Sequence, residues 1–240
     1  MSSIRHPPNT LLQALTRADL EALWPHLVRI ELTRETVLVE AGSRLTHIYL
    51  PNSGAISMMV RLSEGQTVEA ATIGHDSVFG ATAALGDAYS MTSAVVVLPG
   101  SAFVLDITEF RAAAGRSAAF RAVLARYEQA LLALIQQTAA CNALHSVEAR
   151  LSRWLLRAHD LWSGETMPLT QEFLAQMIGV QRNAVSIVAN ALQQAGIISY
   201  SRGHIDIRDV DGLRATACDC YGAVKAHHQR LLGIPHRSSG

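Results

Sequence analysis

Residues Leu169 to Ile207, LTQEFLAQMIGVQRNAVSIVANALQQAGIISYSRGHIDI, restrict the fold more than any other part of the chain. Thr170 is a good helix N-cap, with a hydroxyl able to accept a free backbone N–H of the next turn. The helix QEFLAQMI then buries Phe173, Leu174, Met177 and Ile178. Gly179 stands where a left-handed residue is wanted. A second helix, about 181–195, buries Val185, Val188 and Leu192 and exposes Gln181, Arg182, Asn183, Ser186 and, less usually, Ile187. Gly196 closes it, and IISYSRGHIDI makes a hairpin around Ser201-Arg202-Gly203. Two helices crossed by a tight turn and followed by a β-wing describe a winged helix-turn-helix.

Such a unit places its second helix in the major groove of DNA, with the N-terminal side chains at base edges. Arg182 suits a bidentate pair with guanine, Asn183 suits adenine, and Ser186 serves either. Thr170, Gln171 and Gln181, with the backbone N–H groups at the helix starts, are placed for phosphates. Arg202 and His204 on the wing reach toward a flanking backbone or minor groove. The competing reading is a structural helical hairpin with a solvated polar face. The offsets of glycines, caps, apolar positions and wing favour DNA.

Upstream, 11–30 has apolar positions at helical spacing, with Thr16 before Asp19 as the cap of a second short helix. From about Glu31 to Ile107 short β-rich runs take over: TVLVE, HIYLP, AISMMVRL, TVEAATI, SAVVVLP and AFVLDI. Turns at Ala41-Gly42-Ser43, Asn52-Ser53-Gly54 and Glu64-Gly65-Gln66 separate them. Strands so spaced, with no helices between, predict one antiparallel β-roll.

A long helix follows, about Ser117 to Asn142. Phe120, Leu124, Tyr127, Leu131, Leu134, Thr138 and Cys141 recur along it in alternating steps of four and three. We read this 3.5-residue stripe as the seam of a two-stranded coiled coil joining two copies of the chain. A helix packed on its own β-domain also gives an apolar stripe. A further helix, SVEARLSRWLLRAHDLW, leads into the winged segment. The expected class is therefore α+β in three parts: a β-roll with N-terminal helices over 1–116, a dimerisation helix over 117–143 and a DNA-binding unit over 144–240.

Charge is less informative. Twenty Lys and Arg balance twenty Asp and Glu, and Lys225 is the only lysine. From Ser146 onward ten basic residues face eight acidic ones, a surplus that neither demands nor excludes DNA. Apolar runs such as AVVVLPGSAFVL are broken by Pro99 and Gly100, far short of the ~20 residues of a membrane span. MSSIRHPPNT has no apolar signal core, so a cytoplasmic location is expected and no membrane partner.

Cys141, Cys218 and Cys220 make a disulfide framework unexpected in a reducing cytosol, and three thiols fall short of a four-ligand metal site. Cys218-x-Cys220 lies near His227-His228, but a C-terminal helix with small residues on one face is the simpler reading, and no metal site is assigned. No G-x-S-x-G, P-loop, HExxH or convincing carboxylate pair marks an enzyme.

With a β-roll, a long helix and this winged segment in that order, the sequence resembles the Crp/Fnr family of bacterial transcription regulators from about Leu11 to Cys220. The resemblance implies a homodimer on a two-fold symmetric double-stranded DNA site, with recognition helices about 34 Å apart. The family's base-reading triplet is Arg, Glu, Arg. Here Arg182 keeps the first place and Asn183 and Ile187 stand at the others, so a different operator is expected. Its cyclic-AMP binders place Gly-Glu before a short helix and Arg-Ser after it.

Here the matching stretch offers Gly74 and Asp76 for the first pair and Thr92-Ser93 for the second, which would make these four the effector pocket. Without an arginine at position 92 the cyclic phosphate lacks its cationic partner, a loss of about 1.5–3 kcal/mol. Cyclic AMP is therefore not the expected ligand, and the effector is unknown. With no cysteine before residue 141, the family's N-terminal iron–sulfur cluster is excluded. His47 and His75 are not read as haem ligands, and no cofactor is predicted. A nucleotide- or dinucleotide-responsive sensor and a thiol-based redox regulator are the alternatives. RNA polymerase is the further partner that activation would require, and no residue identifies its surface.

Overall fold

The structure, a computed structural model, describes residues 7–86 and 89–233; the ends of the two outer sequence units, 1–6 and 234–240, lie outside them. Two short helices, α1 (Thr10–Ala14) and α2 (Arg17–Leu23), lead in. Thr16 caps α2 by accepting from the Asp19 N–H at 3.1 Å. The helical reading of 11–30 runs too far. Trp24–His26 makes a single 3-10 turn containing Pro25, and the chain then extends as β1 (Val28–Leu32). Proline removes a donor and ends the helix, which local apolar spacing alone did not reveal.

The roll is completed by β2 (Val37–Val39), β3 (His47–Arg61), β4 (Thr67–Ile73), a 3-10 turn over Ala81–Leu85 and β5 (Ser93–Asp106). All pairings are antiparallel, in the order β1-β5-β3-β4, with β2 on the other half of β5. Two pairs of runs read as separate strands are continuous. HIYLP and AISMMVRL form one strand, β3, and SAVVVLP and AFVLDI form another, β5. Asn52-Ser53-Gly54 and Pro99-Gly100 lie opposite one another and shift the β3–β5 register at a shared bend. A Cβ on Gly54 would sit 2.5 Å from the Leu98 carbonyl oxygen, and one on Gly100 2.3 Å from that of Ser53. The glycines allow two long strands to fold over together, as bulges do. Glu64-Gly65-Gln66, by contrast, is a true hairpin turn between β3 and β4.

Beyond the roll come α3 (Ile107–Arg116), the 27-residue α4 (Ala118–Leu144) and α5 (Val147–Leu161). The winged unit is α6 (Gln171–Ile178), α7 (Arg182–Gln194), β6 (Ile198–Ser201) and β7 (His204–Ile207). Then come α8 (Val210–Thr216) and α9 (Cys220–Leu232), and α9 returns to lie along α4. No described helix is long and apolar enough to cross a membrane.

The α4 stripe read as a dimer seam is buried within one chain. Phe120, Leu124 and Tyr127 belong to the roll's core with Ile48, Leu50, Leu105 and Phe110, and Leu131 packs against it half-buried. Phe110 and Phe120 meet edge-on at 5.4 Å. Tyr127 donates its hydroxyl to Thr10 Oγ1 at 2.8 Å. Leu134, Thr138 and Cys141 are also buried, further along the face that α9 lies against. A 3.5-residue repeat records that one narrow face is covered along the helix; it does not say by what. A second stripe with the same steps, Ala118, Ala122, Ala125, Gln129, Leu132, Gln136, Ala139 and Ala143, is exposed.

Candidate nucleic-acid interface

The winged unit is held by local rules and one apolar core. Thr170 Oγ1 accepts from the Phe173 N–H at 3.2 Å and starts α6. Gly179 turns the chain at φ +63°. Val185, Ala189 and Leu192 of α7 pack with Leu151, Leu155, Leu174, Ile178 and Ile205, which fixes the crossing of α6 and α7. The wing turns through Arg202 and Gly203, both left-handed.

Packed this way, α7 leaves Gln181, Arg182 and Asn183 exposed at its first turn, with Ile187 and Asn190 beyond them. Thr170 is also exposed, and its methyl lies 3.2 Å from where a Gly203 Cβ would be, so the start of α6 abuts the wing tip. Arg202 and His204 are exposed on that tip, His204 Nδ1 lying 3.1 Å from the Arg202 carbonyl oxygen. Gln171 and Ser186 differ from the sequence reading. Both are half-buried, and the Ser186 hydroxyl donates to Gln171 Oε1, tying α6 to α7. That bond uses the hydroxyl's one proton and leaves its oxygen able only to accept.

The four residues expected to line an effector pocket are split between two places. A Cβ on Gly74 would lie 2.2 Å from a methyl of Leu161 in α5, so Gly74 is where the roll touches the DNA-binding half. Asp76 is bound there too. Its carboxylate accepts from Arg157 of α5 at 2.6 and 2.8 Å, and His228 Nδ1 of α9 lies 3.8 Å away. Burial by itself raises the Asp76 carboxyl, but the Arg157 guanidinium outweighs it and holds the group well below the usual carboxylate range.

Ser93 lies instead at the start of β5, its hydroxyl accepting from the Ala41 N–H at 3.2 Å, and the Thr92 carbonyl accepts from Ser90. Neither pair lines the cleft of about 230 Å³ between the Ala81–Leu85 turn and α4, formed by Ala81, Arg121, Leu124, Ala125 and Glu128. The local motif could not show that 74 and 76 face another domain, because α5 lies about eighty residues away.

Sequence reasoning also missed most of the seam around Asp76. Glu69 on β4 is buried and accepts from Ser57, from Thr72 at 2.8 Å and from the Trp154 indole at 2.9 Å. Val68 meets the turn at Gly179, and Arg34 stacks over Phe173 at 5.3 Å. The signal was a carboxylate inside the apolar-rich run TVEAATI. Burial raises the Glu69 carboxyl, against the opposing effect of its three donors and Arg153.

The folded chain therefore keeps that proton to higher pH than the unfolded chain does. Stability falls as pH rises from the ordinary carboxylate range through the raised value. Glu69→Gln keeps the accepting oxygen and removes this loss. Its melting temperature should exceed the parent's by a few degrees at neutral pH, with the gap closing in acid. A variant that melts lower at neutral pH would show that the charge itself is needed.

The three cysteines converge. Cys141 Sγ lies 3.4 Å from Cys218 Sγ, and Cys220 Sγ lies 3.4 Å from His145 Nδ1. Burial, followed by the neighbouring thiols of Cys141 and Cys220, pushes Cys218 up to about 12. The fold sets His145 beside the three thiols, a side chain with a metal-ligating atom that the sequence reading did not count. His228 is turned away to Asp76.

A β-roll joined through a long helix to a winged helix-turn-helix with a free polar recognition face defines a DNA-binding regulator with a sensor-type domain. Two family models agree: the cyclic nucleotide-binding domain over 29–117 and the Crp-like helix-turn-helix domain over 149–216. The chain belongs to the Crp/Fnr family of transcription regulators. Members of that family are not enzymes.

Among solved structures, FixK2 from Bradyrhizobium japonicum is 17% identical, with a TM-score of 0.67 over 80% of this chain and 98% of its own. A crp/fnr-family regulator from Eubacterium rectale is 15% identical, with a TM-score of 0.67 over 88% and 99%. CLP, the c-di-GMP responsive global regulator of Xanthomonas campestris, is 14% identical, with a TM-score of 0.63 over 80% and 99%. At these identities the likeness speaks for the fold. No curated protein matches the chain.

Proposed function

We propose that the protein is a cytoplasmic, homodimeric, sequence-specific regulator that lays α7 in the major groove. Its parts are the roll to residue 116, the long helix to 143 and the DNA-binding unit beyond. The observation that carries this reading is the free first turn of α7, with Arg182 and Asn183 exposed beside the wing and the start of α6. Arg182 pairs with guanine and Asn183 with adenine; Thr170, Gln171, Gln181, Arg202 and His204 fix the backbone.

Two copies meet along the exposed α4 stripe centred on Leu132, which is 55% exposed. Small residues at most of its positions suit close helix approach. Cyclic AMP is not the effector in this reading. Thr92 supplies no cation, and Asp76 is committed to Arg157. A signal in the roll acts instead through the seam of Glu69, Asp76, Trp154 and Arg157, by favouring one docking of the DNA-binding unit over another.

Selection from a random DNA pool by the purified protein should enrich a two-fold symmetric motif with half-sites about one turn apart. On that motif, Arg182→Ala should weaken binding by about 1–3 kcal/mol and relax preference at one base pair per half-site. Equal weakening on all sequences would make Arg182 a phosphate contact. No enrichment by the ligand-free protein would mean either that a signal in the roll is obligatory for binding or that the reading of the winged segment is wrong.

A further inference from the structure

The end of α4 with its cap residue, and the segment that leads from α8 into the first turn of α9, bring together four side chains. They are Cys141, His145, Cys218 and Cys220, and their ligand atoms all lie within 4.8 Å of one another. We propose that these four residues bind one zinc ion as a closed structural site that fastens the end of α4 to the start of α9.

The chemistry and geometry agree. Zinc takes four ligands in a tetrahedron, with sulfur at about 2.3 Å and nitrogen at about 2.0–2.1 Å, so neighbouring ligand atoms stand roughly 3.3–3.8 Å apart. Two of the separations here are 3.4 Å, Cys141 Sγ to Cys218 Sγ and Cys220 Sγ to His145 Nδ1. Three sulfurs and one imidazole favour zinc over magnesium or calcium, which take oxygen. Cys141 and Cys220 are buried, and four protein ligands leave no open position for a substrate.

The surroundings fit an occupied site. The Gln137 side-chain amide donates to Cys220 Sγ at 3.0 Å, as amides do to metal thiolates. His145 presents Nδ1 to the cluster, and its Nε2 points to the side of the exposed Asp219 carboxylate, 3.9 Å from Oδ1. Binding releases one proton from each of the three thiols and leaves a net charge of −1 on the zinc and its ligands. Arg150, whose charge interacts with Cys141 and Cys218, offsets it. The spacing Cys-x3-His, then Cys-x-Cys more than seventy residues on, matches no short motif, so the site is assembled by α9 folding back on α4.

The test counts metal in the full chain, purified under reductant, by inductively coupled plasma mass spectrometry. It then replaces that metal with cobalt(II). The expected result is one zinc per chain, with all three thiols protected from alkylation until a chelator is added. Cobalt should give the intense visible bands of a tetrahedral thiolate site. Cys220→Ser and His145→Ala should each weaken cobalt binding at least tenfold, whereas His227→Ala, on the exposed side of α9, should leave it unchanged.

The metal count and cobalt spectrum of the parent chain stand even if a ligand variant fails to fold. Three freely reactive thiols with no zinc and no cobalt bands would overturn the proposal. So would a fully reduced, metal-free chain that takes up no cobalt at Cys141, His145, Cys218 and Cys220, or zinc held equally well by Cys220→Ser.

Discussion

Arg157→Met lowers the stability of the folded chain by about 3–5 kcal/mol, because it leaves Asp76 as an uncompensated buried charge. The Asp76 and Arg157 side chains are only 20% and 16% exposed, and the carboxylate accepts two guanidinium hydrogen bonds. His228 is the weaker partner: its Nδ1 lies 3.8 Å from the carboxylate, beyond hydrogen-bond distance. The double variant Asp76→Leu, Arg157→Met removes both charges and should recover most of the loss.

Acid acts on the same pair. The folded Asp76 carboxyl titrates below its unfolded value, so its contribution is complete above the ordinary carboxylate range and is lost as pH falls through the depressed one. Denaturant unfolding of the parent, both single variants and the double variant measures the coupling. A single-variant loss under about 1 kcal/mol would mean that solvent screens the pair as it does on a surface.

Phe120→Ala should cost about 3–5 kcal/mol and leave the oligomeric state unchanged, because the ring fills the roll's own core. Phe120 is fully buried against Phe110 inside one chain. Leu132→Glu should do the reverse. It sets a charge on the exposed α4 stripe, splits the dimer and leaves the fold of each chain intact. Sedimentation and thermal melting separate the two. Dissociation by Phe120→Ala with little loss of stability would return the dimer seam to the buried stripe. An intact dimer in Leu132→Glu would remove it from the exposed one.

How much of the molecule could be read in advance depends on the range over which each signal acts. Thr16, Thr170, Gly179 and the Arg202-Gly203 turn obey rules that span a few residues, and each behaves as its neighbours dictate. The strand count failed where a glycine serves a partner strand rather than a turn, as at Gly54 opposite Gly100. Local composition cannot distinguish a bend from a reversal.

Ser186 read as a free base contact because its sequence position is right. Its bond to Gln171 depends on how α6 crosses α7. The sequence by itself determined the helix-turn-helix, its caps, the exposure of Arg182 and Asn183, and the presence of one covered face along α4. Only the tertiary structure decided what covers that face, that Asp76 belongs to Arg157, and that His145 completes a set with three distant thiols. The physical reason is one of distance. Caps, turns and periodicities arise from contacts within a few residues, whereas burial of a charge or assembly of a ligand set is created by segments that meet only when the chain folds.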